Sequence, residues 1–225
     1  MTFTLYTAGC VGNAQNSIYP NRVEVNTPED MLAAVAYDHV CAEYYGAHRS
    51  ADDYLGGDVD VMDCDNDHTD NPDEWITPEM YEDIFPDVAY VVVPSRNNMK
   101  PKGGKSARPR HHVYFLHSDT FLAEDCARLK RRIHEAAPFF DGNALDAARF
   151  IFGCSADKIL WHEGSRTIED FLDEQDFEDF DRETEIIEEG SRNSTMSRIA
   201  GRIIKRYGNT DEAYQLYLKK SELCN

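Results

Sequence analysis

Asp63 and Asp65 close an alternating stretch, Val59-Asp60-Val61-Met62-Asp63-Cys64-Asp65. In an extended chain Val59, Val61, Asp63 and Asp65 all leave on one face. The valines anchor that face in a core. The two carboxylates then reach the strand's end with Cα atoms about 7 Å apart. Carboxylates held side by side repel each other unless a cation lies between them. Mg²⁺ or Mn²⁺ suits oxygen ligands of this kind, and such sites serve phosphoryl transfer. Two other readings use the same residues. An Asp-rich stretch is also what a solvated loop looks like. Asp63, Asp65, Asp67 and Glu74 also have the spacing of calcium ligands in an EF-hand loop, but His68 stands where that loop needs glycine, and the residues before Asp63 read as strand.

Two further segments can join this pair. From Arg96 to Arg110 the chain carries Arg96, Lys100, Lys102, Lys105, Arg108 and Arg110 with no acid among them. Gly103-Gly104 sits at the centre, and the segment runs directly into His111-His112. Backbone N–H groups and cations around glycines suit a polyphosphate. The third segment places Asp141 after the apolar pair Phe139-Phe140, with Asp146 and Arg149 downstream. Asp141 can add a carboxylate. Asp146 reads as a helix-surface acid, and Arg149 either touches phosphate or pairs with an acid. Carboxylates for metal, cations for a triphosphate and a histidine beside them are the components of nucleotidyl transfer.

Composition narrows the setting. With 225 residues, 41% of them hydrophobic, the chain can bury one large core, with or without a small appendage. The net charge of −19 argues against a protein that coats nucleic acid, but charge is uneven. The basic loop, and Arg128, Lys130, Arg131 and Arg132, stand against an acidic run from Glu163 to Glu189. The cysteines lie far apart with no Cys-x-x-Cys pair, no secretion signal leads the chain, and no apolar run approaches a membrane span. A reduced, cytoplasmic setting with no membrane partner is the expectation.

The elements that must position these residues can be read in order. Phe3–Thr7 reads as a first strand and residues 9–16 as a loop. Thr27-Pro28-Glu29-Asp30 starts a helix, with Leu32, Val35, Ala36, His39 and Val40 on its buried face to about Tyr45. His39 there reads as a core histidine. After the acidic strand, Thr77-Pro78-Glu79 starts a short helix to Ile84, and Val88–Val93 is a buried strand. His112–Leu116 is another strand. Ser118-Asp119 caps a helix buried through Leu122, Cys126, Leu129 and Ile133. Residues 139–141 read as a short strand, 145–152 as a short helix, and Lys158–Trp161 as a last strand. This interleaving predicts an α/β (α+β) domain over residues 1–162. An acidic linker or helix covers 163–190. A helical segment fills 191–225, capped by Ser194, with the stripe Met196, Ile199, Ala200, Ile203 and Ile204, closed by Gly208, then Ala213, Leu216 and Tyr217. The chain stops directly after a helix pattern, as a piece of a longer protein would.

Met62-Asp63-Cys64-Asp65, Arg108-Pro109-Arg110-His111-His112-Val113-Tyr114-Phe115 and Phe140-Asp141 together resemble the three motifs of archaeo-eukaryotic primases, in the same order and on predicted strands. The closest resemblance is to primase-polymerases of plasmids, phages and integrated elements. Residues 192–208 with Ala213-Tyr214 resemble the start of the helical domain that follows in those proteins. The resemblance implies an archaeo-eukaryotic primase-like catalytic domain and template-directed nucleotidyl transfer in replication of a mobile element. It implies that Asp63, Asp65 and Asp141 hold two Mg²⁺ or Mn²⁺ ions. His112 would contact the phosphates of a nucleoside triphosphate, steadied by Lys102, Lys105, Ser106, Arg108, Arg110 and Arg149. Arg110 departs from the pattern, which has a small residue there. Of the adjacent histidines, His112 fits because Val-Tyr-Phe follows it and only one of two neighbours in a strand can face the site. Single-stranded DNA and a replicative helicase, on the same natural chain or separate, are the implied partners. Arg198, Arg202, Lys205 and Arg206 form a cationic helix face that either meets DNA phosphates or pairs with the acidic run. A catalytically silent module that binds DNA or a replisome, and a metal-dependent nuclease, are the alternatives.

Overall fold

The computed structural model describes residues 1–182, 196–197, 199–201, 203–204, 208 and 210–222. The chain divides into two compact units, Met1–Leu172 and Asp173–Asn225. The first is a mixed α/β domain with two open sheets. One has the order β2-β1-β3-β8, from Asn21–Val25 (β2), Phe3–Thr7 (β1), His39–Val40 (β3) and Phe150–Ile151 (β8). The other has the order β4-β5-β7-β6-β9, from Glu43–Tyr44 (β4), Tyr54–Cys64 (β5), His111–Thr120 (β7), Tyr90–Pro94 (β6) and Leu160–His162 (β9). Helices α1 (Pro28–Val35), α2 (Tyr81–Ile84) and α3 (Ala123–Ala136) belong to the same unit, and α4 (Ile168–Arg182) begins in it.

The expected alternation around Asp63 belongs to β5, a strand buried on both faces. Val59 and Val61 pack on one face with Val91, Val93 and Tyr114, beneath β1 and α1. Met62 and Cys64 pack on the other with Phe115, with Leu129 and Ile133 of α3, and with Tyr81 and Phe85. Strict alternation turns one row of side chains to each core, so Asp63 shares the Val59–Val61 face. Gly57 lets β5 approach its neighbour, since a Cβ there would meet the Cys41 carbonyl oxygen at 2.9 Å.

Local start signals were legible. Thr27 and Asp30 form a reciprocal capping box around the Pro28 start of α1. Four expectations need correction. First, α1 stops at Val35 rather than near Tyr45. Beyond it the Asp38 carboxylate accepts N–H bonds from Gly12, Asn13 and Gly153, which draws the chain away from the helix axis. His39 and Val40 then pair with β1 and β8. His39 is a buried core histidine as expected, its ring within 2.8 Å of the Tyr37 carbonyl and 2.7 Å of the Tyr114 hydroxyl. Second, Ser118 and Asp119 lie inside β7, whose pairing with β5 runs on to Thr120 through a register shift. Helix α3 starts after Leu122, which is exposed, and buries Cys126, Leu129, Lys130 and Ile133. Third, Phe139 and Phe140 belong to an aromatic cluster around Tyr81 in a turn, not to a strand. Fourth, residues 145–152 form turns ending in β8, because Phe150 and Ile151 find a partner in β3.

Within the acidic run lies α4, whose Ile168, Phe171 and Leu172 are buried. In the second unit Met196, Ile199 and Ile203 are buried with Ala213, against Leu216 and Tyr217 of helix α5 (Asp211–Ser221). Gly208, at φ 66°, closes the preceding helical residues through its N–H bond to the Ile204 carbonyl, as its position predicted. Ile204 itself is exposed. Ser194, Arg198, Arg202, Lys205 and Arg206 lie outside the described residues. Among the described residues no helix is long and apolar enough to cross a membrane.

Candidate functional site

β5 and β7 run antiparallel with Asp63 directly opposite His112. β6 places Val93 on the other side of His112. One residue earlier in β7, His111 faces the opposite core, bonded at 2.8 Å to the Tyr81 hydroxyl. Strand parity thus separates the two histidines, and His112 is the one beside the acids. Asp65 lies just past the strand. Asn66, which follows it at φ 53°, is fully buried. Its amide donates to the carbonyls of Ile76 and Pro109 at 2.9 and 2.8 Å and accepts the Ile76 N–H at 2.8 Å. That left-handed turn, tied down on two sides, fixes the direction of Asp65. Asp141 arrives separately, its backbone N–H bonded at 2.8 Å to the Asp63 carbonyl at the end of β5.

These elements enclose a cavity of about 260 Å³. Asp63, Asp65, His112, Asp141, Lys102 and Arg149 line it, with Ser95, Arg96, Asn97 and residues 150–152. Sequence reasoning missed Ser95, Arg96, Asn97, Phe150 and Phe152. Arg96 belonged to the basic segment, but nothing local marked which of its cations would face the acids.

Both strand-end acids already hold cations. Asp63, 7% exposed, is bonded through Oδ2 to Arg149 Nη2. His112 Nε2 stands 3.2 Å from its Oδ1 without hydrogen-bond alignment. Asp65 accepts from Lys102 Nζ at 2.6 Å and has Arg110 Nε 3.6 Å away. Asp141 takes bonds from Asn143 of its own turn. Burial pushes the Asp63 pKa up, but the charges of His112 and Arg149 and the Arg149 hydrogen bond outweigh it and hold the group below 3.8. Burial lowers the His112 pKa more than Asp63 and Asp65 raise it, so the ring is neutral at neutral pH.

The other expected phosphate ligands lie elsewhere. Arg108 is 1% exposed and donates to the carbonyls of Asn66 and Thr69 and to Asp70. Arg110 is 0% exposed and donates to the Lys100 carbonyl and to Asp67. Both guanidiniums fasten the 66–70 loop to the basic segment. Lys105 pairs with Asp70, and the Ser106 hydroxyl accepts from Arg108. Lys102 and Lys105 close a two-glycine turn, which carries Lys102 to the cavity. Asp146 is an exposed turn acid, its carboxylate accepting the Ala148 N–H.

The donor set can be tested for a metal. Among the described residues no group of three or more His, Cys, Asp or Glu side chains is gathered where an ion could sit. Asp67 and Glu74 are drawn to Arg110 and to Thr69 and Asn71, so the calcium-loop arrangement does not form either. As folded, the acids fit cationic side chains rather than a metal pair. Yet Asp63 Oδ1 is buried with no hydrogen-bond partner among the described residues.

Among solved structures the chain is similar to the AEP domain of the primase-polymerase (PrimPol) of cyanophage S-2L. The identity is 13%, the TM-score is 0.40, and the match covers 76% of this chain and 88% of that one. The likeness is loose and concerns the fold. No protein-family model matches the chain, and no curated protein matches it.

Proposed function

We propose that the cavity around Asp63 and His112 receives the phosphate end of a nucleotide. In this reading the chain is a DNA-replication module of primase-polymerase type that, with its acids held by cations, binds without reacting. One observation carries it: the three segments that resemble primase motifs, far apart in sequence, line a single cavity with Lys102 and Arg149. Lys102, Arg149 and Arg96 supply the charge a polyphosphate needs, and neutral His112 can donate one hydrogen bond to it. Phe150 and Phe152, with ring centroids 4.8 Å apart, give an apolar wall for a sugar or base.

A second reading, template-directed nucleotidyl transfer, is favoured by the orphaned Asp63 Oδ1 and by three acids among the residues that line the cavity. It requires Arg149 and Lys102 to leave Asp63 and Asp65 for the phosphates. Asp63, Asp65 and Asp141 would then be the residues to hold Mg²⁺ or Mn²⁺. A helicase partner, a cytoplasmic setting and a DNA-binding role for Arg198, Arg202, Lys205 and Arg206 belong to either reading as expectations.

Calorimetry with a nucleoside triphosphate, with and without Mn²⁺, and primer extension on single-stranded DNA test both. Triphosphate binding without extension supports the silent module. Mn²⁺-dependent extension that Asp65→Ala abolishes supports catalysis. Shortening of the DNA instead points to a nuclease, and no triphosphate binding in any condition overturns both readings.

A further inference from the structure

Consecutive carbonyls on Asp146, Ala147 and Ala148 each accept a bond from a side chain of a different element. Lys130 Nζ of α3 donates to the first at 3.2 Å, the Tyr44 hydroxyl of β4 to the second at 2.6 Å, and Arg49 Nη1, from the turn between β4 and β5, to the third at 2.7 Å. From inside the turn the Asp146 carboxylate accepts the Ala148 N–H at 2.9 Å. The next residue is Arg149, and directly after it Phe150 and Ile151 pair with β3. The Arg49 guanidinium also lies 4.8 Å from the centroid of the Phe150 ring. The backbone is thus fastened on both sides of Arg149, by the three donors before it and by the sheet after it. The Arg149 side chain itself bonds to Asp63, and its Nε is buried without a partner among the described residues. A long side chain held only at its tip is aimed by its backbone. Lys130 is the unusual donor. It is 1% exposed, forms no salt bridge among the described residues, and gives its bond to a neutral carbonyl. A buried ammonium with no carboxylate on it is costly. Burial raises the Asp63 pKa, and the Lys130 charge joins those of His112 and Arg149 in lowering it.

We infer that Lys130, Tyr44 and Arg49 are positioning residues: together they clamp the 146–148 turn so that Arg149 is aimed at Asp63, and so set how firmly that acid is withheld from any other cation. Each donor comes from a separate element, so the aim of Arg149 depends on how α3, β4 and the turn before β5 are packed around it. Lys130 adds positive charge that favours the ionised acid. Bonds that served the turn alone would leave the Arg149 side chain unmoved when one of them is lost. That the Arg149–Asp63 pair guards a nucleotide pocket rests on the proposed function, whereas the clamp and its hold on Arg149 stand by themselves.

The test uses Tyr44→Phe and Lys130→Met in the full chain. The first removes one hydroxyl from a ring that still packs on Tyr54, and the second replaces a buried charge by an apolar side chain of similar length, so both should fold. Rotation of the Arg149 guanidinium about its Nε–Cζ bond is followed by nitrogen NMR, the signal being assigned by its loss in Arg149→Gln. The bond to Asp63 slows that rotation in the wild type. Both variants should speed it, and should weaken triphosphate binding, read by calorimetry, about three- to tenfold. Combined with Arg149→Gln, neither should weaken binding further, because the residue they position is gone. Unchanged rotation in both variants overturns the inference, whatever their urea midpoints, and leaves the three bonds as supports of the turn. Further weakening in the combined variants also overturns it, since the donors would then act on the pocket without Arg149. Faster rotation in a protein that binds no triphosphate upholds the clamp and overturns the nucleotide reading of the pocket.

Discussion

Asp63 and His112 face each other across β5 and β7, with His112 Nε2 3.2 Å from Asp63 Oδ1, while His111 points away to Tyr81. One residue of register separates a cavity-facing histidine from a core histidine. The two should therefore fail in different ways. His112→Ala should weaken triphosphate binding with little loss of stability. His111→Ala leaves the Tyr81 hydroxyl buried without its partner and should cost about 1–3 kcal/mol in urea unfolding while sparing binding. The opposite assignment of the two phenotypes would move the register by one.

The acids should differ as well. Asp63 is buried and its removal strands Arg149 Nη2, so Asp63→Ala should cost about 1–3 kcal/mol in stability. The Asp65 pair with Lys102 is more exposed, with side chains 24% and 46% accessible, and Asp65→Ala should cost about 1 kcal/mol or less. Arg149→Gln removes the cation that competes for Asp63. Mn²⁺ binding, read by electron paramagnetic resonance, should then tighten and triphosphate binding should weaken. Equal Mn²⁺ affinity in both proteins would mean that Asp63 takes no metal.

Asn66→Ala should be costly beyond its size. It deletes three buried hydrogen bonds that join the end of β5 to Ile76 and Pro109. It also places alanine at a left-handed φ of 53°. A loss of about 2–3 kcal/mol is expected, with weaker triphosphate binding because Asp65 and Lys102 shift together. Wild-type stability in this variant would show that the turn is held by other contacts.

Acid should unfold the protein early. Burial lowers the His39 pKa to about 4 and the His111 pKa to about 3, from 6.5. Between those values the unfolded chain binds protons that the native state refuses, so stability is complete above 6.5 and falls as pH falls. For His39 alone the effect reaches on the order of 3 kcal/mol. Asp38 adds a further loss below 3.8: burial raises its pKa, but the N–H bonds from Gly12, Gly153 and Asn13 lower it more. The urea midpoint should decline steadily from pH 6.5 to about 4, and less steeply in His39→Gln. A flat midpoint over that window would count against buried neutral histidines.

Sequence by itself determined the features whose cause is local. The valine-aspartate alternation of β5 fixes which face Asp63 shares, because side chains in a strand alternate whatever the partner. Thr27, Pro28 and Asp30 start α1, and Gly208 closes a helix, through bonds made within a few residues. Strand parity required that only one of His111 and His112 face the acids; the Val-Tyr-Phe that follows His112 favoured it, and the pairing of β7 with β5 decided it. Tertiary structure decided the rest. The two-residue strands β3 and β8 are too short to have a pattern of their own and exist because each finds the other. Leu122 lost its expected place in the core because the pairing of β5 with β7 extended past the local cap signal. Which cation meets which acid was decided last. Arg149, 86 residues from Asp63 in sequence, reaches it, while Arg108 and Arg110 turn inward to the 66–70 loop. Charges attract according to distance in space, and spacing along the chain does not encode that distance.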